Sequence, residues 1–405
     1  MPDSRYLNGL DIHRDYFVAV GVDARLEPVF GPQTILNPEL DAWIARCLTP
    51  QDAVVLEMTT NTYQFCDALE GHVHSVTAVH PPNVALVTRV SVKTDKKAAL
   101  SLAQLHAAGL LQGVWIPPQA VRDLRAVIAQ RNKMVRLSTI AKNRLNAVLH
   151  RNHLKFTGEK SKFTPDQREW WENLPLTEME RLRVSSDLDT LEFADRQTEK
   201  IEAVLHQEAA KDERVPLLVQ LPGIAWLTAL TILAAIGTIE RFEDAKHLVG
   251  YAGLGTRVHD SGLTHQNGRI TKAGRKDLRR AMVDSANHAI LHHPFWKKVF
   301  QKLEPRLGRS KAVVAIARRI LVVVWHVLHD AQADRHADAR DVACSLFAHA
   351  YKVGVKNLPD GVSAKDFTRQ QLDRLGLGQQ LAVIPWGSKK VILPPSSLTP
   401  QQQKK

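Results

Sequence analysis

The sequence predicts an α/β amino-terminal domain followed by a long, mainly helical remainder. Three observations point there. The first hundred residues carry short apolar runs bounded by polar turns, which is strand patterning. From Ala120 onward apolar residues recur at helical spacing over stretches far too long for strands. Gly- and Pro-rich breaks then divide the helical part into segments.

Taken in order, Tyr6–Ile12 and Tyr16–Val22 flank a tight polar turn and read as a hairpin. Ala53–Met58 (AVVLEM) reads as a buried strand and Val73–Val79 as another. Lys93–Leu111 has Ala and Leu at helical spacing and stops at Gly113. Ala120 to about His153 is a basic helix, and Trp170–Gln207 supplies further charged helices after a break at Gly158–Pro165. Two such helices, antiparallel, form an arm or coiled coil. Composition shifts at Val215–Gly223. There LPGIAWLTALTILAAIG (Leu221–Gly237) resembles a helix-hairpin-helix element, whose turn and helix-start amides can hold a phosphate. A Gly-rich loop (Gly250–Gly268), a basic helix (Lys272–His288) and a long helix (Ser310–His329) follow. The tail from Lys356 ends QQQKK, and disorder is expected over its last ten residues. The expected division is therefore 1–118, 119–214, 215–355 and a partly disordered 356–405.

Hydrophobic content of 44% and a mean hydropathy of −0.21 fit a globular chain. No apolar run of roughly 18 residues and no signal-peptide pattern is evident, so a cytoplasmic location without membrane attachment is expected. Three cysteines without CxxC spacing argue against a zinc ribbon or a disulfide framework.

The formal net charge is +12, which suggests a polyanionic partner. Its distribution says more. Val84–Arg151 carries 12 basic and 2 acidic residues, and Arg257–Arg319 carries 15 and 4. Between them, Thr164–Arg214 has 14 acidic and 7 basic residues. One basic block could be a solvated helix face; two favour nucleic acid, since cations displace phosphate counterions. Candidate contacts are Lys93, Lys96, Lys97, Arg131, Arg136, Lys142 and Arg144 in the first block. In the second they are Arg257, Arg269, Lys272, Arg275, Lys276, Arg279 and Arg280.

Asp11 ends the first strand, Glu57 ends the AVVLE strand, and Asp95 begins the next helix. Alone, Asp11 reads as a turn residue and Asp95 as a first-turn acid favoured by the helix dipole. A Glu inside VVLEM is less ordinary, because an unpaired buried carboxylate is costly. Acids in this order resemble the arrangement of RNase H-like nucleases. There, carboxylates on rigid elements hold two Mg²⁺ ions roughly 3.5–4 Å apart to activate the attacking oxygen and stabilise the leaving one.

Ser261 precedes Gly262 on the Gly-rich stretch, just ahead of Lys272, Arg275, Lys276, Arg279 and Arg280. A turn serine is the ordinary reading. A serine hydroxyl can also attack a phosphodiester where cations stabilise the transition state and a base takes its proton.

With these motifs together, the chain resembles the DEDD transposases of bacterial insertion sequences, whose members are guided by an element-encoded bridge (seeker) RNA. GLDIHRDYFVAV around Asp11 is similar to the first motif of that family. VVLEMTTNTY around Glu57 is similar to its E-[AST]-T-G pattern, with Met58 and Thr60 departing from it. VKTDKKAALSLAQL resembles its K-T-D-x-x-D-A motif. LPGI, RFEDAKHLVGYAGL, DSG and KAGRKDLRRAM carry the likeness through the carboxy-terminal half, so it spans roughly residues 5–330. The resemblance implies a RuvC-like amino-terminal domain, a coiled-coil middle and a carboxy-terminal transposase domain. It implies Mg²⁺ at Asp11, Glu57 and Asp95, a nucleophile at Ser261, and partners of donor DNA, target DNA and guide RNA. It also implies composite sites in a homo-oligomer, dimer to tetramer.

One position departs. The fourth acid of the motif falls at Ala98, and no acid occurs between Asp95 and Asp123. Ala98 reads as an engineered inactivating change; a naturally degenerate copy and a three-acid site are the alternatives. A chain that binds nucleic acid but cuts slowly or not at all is expected. The competing readings are a Holliday-junction nuclease and a non-catalytic nucleic-acid-binding protein. His288, His292 and His293 read as helix-end residues, Trp170 and Trp171 as an anchor against another subunit, and Trp296 and Trp325 as core.

Overall fold

LNGLDI and YFVAVGV, buried along nearly their whole length, form β1 (Leu7–Ile12) and β2 (Tyr16–Val22), antiparallel with Asp11 opposite Val18. They belong to a computed structural model that describes residues 6–82, 84, 94–261 and 264–398. Two compact units make up the chain, Met1–Pro118 and Gln119–Lys405.

In the first unit β3 (Pro28–Leu36), β4 (Ala53–Glu57), β5 (Ser75–Val79) and β6 (Gly113–Val114) complete a six-stranded sheet of order β3-β2-β1-β4-β5-β6. β4 lies parallel to β1 and to β5. Burial on both faces explains the apolar runs of the central strands. On one face α1 (Leu40–Cys47) and α2 (Thr62–Leu69) set Trp43, Phe65 and Leu69 against Phe17, Leu10 and Leu56. On the other, α3 (Asp95–Ala107) sets Ala99 against Val18 and Val20, and Ala103 against Leu7, Val22 and Ala53. α3 begins at Asp95 because Thr94 caps it, and ends before the Gly109 turn. β3 is a strand the sequence reading omits, and Gly113 starts a strand rather than stopping a helix.

The second unit opens with α4 (Gln119–Arg151), α5 (Arg168–Glu172) and α6 (Glu178–Lys211). Ion pairs Arg131–Glu202, Lys142–Asp195, Arg144–Asp187 and Arg151–Glu180 run in opposite sequence order, so α4 and α6 are antiparallel. Trp171 is buried at the tip of this arm among Leu145, Leu149 and Leu174, and its indole N–H donates to Lys162 O at 2.7 Å. It therefore anchors its own chain, correcting the expectation of a subunit contact.

α7 (Arg214–Val219), the LPGI turn and α8 (Trp226–Ile236) lead into the main core. There follow α9 (Ala245–Tyr251), the hairpin of β7 (Thr256–Ser261) and β8 (Thr264–Ile270), and α10 (Lys276–His292). Next come α11 (Pro294–Leu307), α12 (Arg309–Asp330), α13 (Ala339–Val353) and α14 (Ala364–Arg374). α12 is long and apolar enough to cross a membrane by length and composition. Its Ile316, Ile320, Leu321 and Val324 are nevertheless buried in the core, as is Trp296. Trp325 packs against it half-buried.

The tail is tied down. Buried Arg369 donates to Gly378 O at 2.9 Å, to Pro394 O at 2.8 Å and to Leu381 O, and pairs with Asp373. Asp373 accepts in turn from Ser396 and Ser397. β9 (Val383–Trp386) and β10 (Lys389–Ile392) form a hairpin here. Order thus extends into the segment expected to be disordered, and residues 399–405 lie outside the described residues.

Candidate metal centre and nucleic-acid interface

Gly9 determines how closely α3 lies on β1. A Cβ at Gly9 would sit 2.1 Å from Ala99 O and 2.7 Å from Ala103 N, so only glycine admits this helix. The start of α3 is thereby brought over the end of β1, and Asp95 over Asp11. Their carboxylates converge on His13: its Nε2 lies 3.4 Å from Asp11 Oδ2 and 3.4 Å from Asp95 Oδ2. Ligand atoms of Asp11, His13 and Asp95 all lie within 4.8 Å of one another.

The turn that carries His13 is held from several sides. His13 N–H donates to Tyr16 O at 2.8 Å. The His13 carbonyl accepts from Asn37 Nδ2 at 3.2 Å and from Asn61 Nδ2 at 3.1 Å. The ring stacks on Tyr16 at 4.8 Å, and the Tyr16 hydroxyl donates to Asp95 Oδ2 at 2.9 Å. Burial pushes the Asp11 carboxyl above its ordinary value; His13 opposes that and Asp95 adds to it. The bond to Asp95 raises the Tyr16 phenol. Two carboxylates held together beside a buried nitrogen suit a divalent cation, which would relieve their repulsion.

Glu57 ends β4 one residue beyond the Leu10–Leu56 pair of β1 and β4, which places it level with Asp11 on the neighbouring strand. Its carbonyl accepts from the Thr62 hydroxyl at 3.0 Å. Buried Asp52 fixes the entry to β4 by accepting from Thr49 N and from Tyr6 N at the edge of β1. Among the described residues the convergent group is Asp11, His13 and Asp95, and Glu57 is not a member. Ala98 follows on the first turn of α3, its N–H donating to Thr94 O. His13 and Tyr16 are the residues the sequence reading missed. The available signal was the D-x-H spacing at the strand end, which returns to the same side of β1 as Asp11.

Ser261 falls at the end of β7, paired with Thr264 across the hairpin, rather than on an irregular loop. Val258 and Ile270 are the apolar residues of its two strands, too few to show an apolar alternation. Of the candidate cations, Lys93 lies outside the described residues, and Lys96 and Lys97 are exposed on the first turn of α3. Arg131, Lys142 and Arg144 engage α6 acids. Arg275 pairs with Asp277, Arg279 donates to Ala252 O at 2.8 Å, and Arg280 pairs loosely with Asp284 at 3.7 Å. Arg257, Arg269, Lys272 and Lys276 are exposed. Arg131, Lys133 and Arg136 of α4 and Arg280 of α10 line one groove of about 600 Å³, so the two basic blocks meet there.

The LPGI turn lines a cavity of about 500 Å³ with His288, His292, His293, Asp338 and Asp341. Acids thus stand near these histidines in space, although among the described residues they form no metal-holding group.

Residues 8–153 match the family model described as a transposase of the DEDD, IS110 type, and residues 215–301 match that of the IS116/IS110/IS902 transposase family. The chain is 27% identical over 265 residues to the pilin gene-inverting protein of Moraxella bovis, covering 64% of this chain and 73% of that protein. It is 25% identical over 345 residues to the transposase for insertion sequence element IS1111A of Coxiella burnetii, covering 81% and 90%. A probable family 20 transposase of Pseudomonas aeruginosa is 23% identical over 336 residues, covering 79% and 96%.

Proposed function

Because the chain belongs to the IS110 family of DEDD transposases, we propose that it cuts and rejoins DNA for excision and integration of an insertion sequence, at sites selected by an element-encoded RNA. The observation that carries this reading is the convergence of Asp11 and Asp95 on His13, inside the DEDD-matched region. Asp11, Asp95 and Glu57 would hold Mg²⁺ or a similar cation, which when bound supplies charge for the departing and attacking oxygens. The protein's own part is positional. Gly9 lets Asp95 approach, Tyr16 orients the Asp95 carboxylate, and the two asparagines hold the His13 turn.

Ser261 is the proposed nucleophile: its hydroxyl oxygen would form a bond to phosphorus as the 3′ or 5′ oxygen of the cut strand leaves, with the proton passing to a base. Support comes from its place at a hairpin end shortly before the cationic start of α10. The basic groove on α4 and α10 would take nucleic-acid phosphates. The protein would act as a homo-oligomer, dimer to tetramer.

Ala98 favours a second reading of the same site, in which the chain binds its nucleic acids but cuts slowly. One experiment addresses all of this. The chain is purified after expression with its element's non-coding flanks, bound RNA is sequenced after a high-salt wash, and cognate DNA is incubated with divalent metal. A single discrete RNA and a detergent-resistant protein–DNA adduct that vanishes with Ser261→Ala are the expected results. Ala98→Asp is expected to raise the cleavage rate at least tenfold. Random RNA, or none, would indicate a transposase that reads DNA directly. Cleavage unaffected by Ser261→Ala would eliminate the serine mechanism.

A further inference from the structure

His13 occupies an unusual place for an imidazole. Its Nε2 is buried and has no hydrogen-bond partner, although it lies 3.4 Å from a carboxylate oxygen on either side. A ring nitrogen held so has the two carboxylates' charge beside it but no hydrogen bond of good geometry to offset its desolvation. The ring has no freedom to escape: its turn is fixed by Asn37, Asn61 and the Tyr16 carbonyl, and its face is stacked on the Tyr16 ring.

The opposite deficit stands on α3. Ala98 contributes no donor in the turn after Asp95, so Asp95 is the one acid this helix brings to the centre. An imidazole nitrogen pointed between Asp11 and Asp95 supplies a further donor atom without adding negative charge.

We propose that His13 is a nitrogen ligand of the metal at this centre, in the place of the acid absent at Ala98, and that the centre consequently prefers Mn²⁺ to Mg²⁺. The inference rests on the metal-site reading above. Its chemistry is general: Mg²⁺ holds to oxygen donors and near-ideal octahedral geometry, whereas Mn²⁺ and later metals accept imidazole more readily.

The test is Mn²⁺ binding to the full chain, followed by loss of the free-ion electron paramagnetic resonance signal, with pulsed spectra of the bound ion read for nitrogen coupling. Bound Mn²⁺ in the unaltered chain is expected to show coupling to one imidazole nitrogen, and a large excess of Mg²⁺ is needed to displace it. His13→Phe, which keeps a ring to stack on Tyr16, is expected to lose the coupling and weaken Mn²⁺ binding roughly tenfold or more. Adding Ala98→Asp to that variant restores binding with oxygen donors alone, so Mg²⁺ then competes effectively. Mn²⁺ bound without nitrogen coupling, or with unchanged affinity in His13→Phe, overturns the assignment of His13 while leaving the metal centre standing. Failure of the unaltered chain to bind Mn²⁺, with Asp11→Asn indistinguishable from it, overturns the metal centre and this inference together. The spectrum of the unaltered chain decides the ligand question even if a variant folds poorly.

Discussion

A single missing Cβ governs the distance between the two aspartates. At Gly9 the neighbouring atoms are Ala99 O and Ala103 N, helix backbone that cannot swing aside as a flexible side chain would. Gly9→Ala therefore has to lift or tilt α3. We expect a stability loss of roughly 1–3 kcal/mol from overpacking, together with weaker Mn²⁺ binding, because Asp95 rides on the displaced helix. Thermal melts and a metal titration on the same preparation check this. Unchanged values in both would mean that α3 tolerates the methyl and that the aspartate spacing is set elsewhere. Tyr16→Phe probes the same carboxylate from the other side, removing a 2.9 Å hydrogen bond while leaving the stacked ring. Its expected cost is about 1 kcal/mol.

At the scale of elements, α4 meets α6 through oppositely charged faces, so part of the first basic block is used within the chain. Arg131–Glu202 is an ion pair with both side chains partly buried, for which a double-mutant cycle should give about 0.5–1 kcal/mol of coupling. Arg136 and Arg280, exposed along the groove, belong to a different class. Replacing either by Ala is expected to leave the melting temperature near its starting value and weaken nucleic-acid binding at all sequences. The slope of log affinity against log salt should fall by about one per residue. A steep stability loss with an unaltered salt slope would assign both arginines to packing. The same elements show what the sequence could convey. The long helices were legible because their apolar period persists for many turns, and the central strands because both faces are buried. β3 was hidden by its exposure: PVFGPQTIL lies at the sheet edge with one buried residue, Ile35, and so carries no alternation. Asp11 and Asp95 were legible from strand and helix ends. His13 was not, because its meaning depends on a turn held by Asn37 and Asn61, distant in sequence.

Part of the response of the whole chain to mild acid comes from a cluster far along the sequence from the aspartates. His206 of α6 stacks on Trp226 of α8 at 3.4 Å, and His349 of α13 stands 5.9 Å from His206 and 6.2 Å from Trp226. His206 Nδ1 and both His349 ring nitrogens are buried without hydrogen-bond partners. Burial holds each imidazole down to about 4, with Lys352 opposing protonation of both and His206 opposing that of His349. The folded chain therefore keeps both rings neutral where the unfolded chain takes up protons near 6.5. Their contribution is complete above that value and is lost as the pH falls from about 6.5 towards 4, because protons then favour the unfolded state. We expect the thermal midpoint, followed by tryptophan fluorescence, to drop by several degrees across this window at constant ionic strength. His349→Phe removes one of the two rings, so its decline should be clearly shallower, the new ring packing beside Phe367, which already neighbours His349; His106 and His288, whose pKa values burial also lowers, keep part of the slope. An equal slope in the variant would place the acid sensitivity in other groups, whereas a flat profile in the unaltered chain would mean that both rings are protonated in the folded state at little cost.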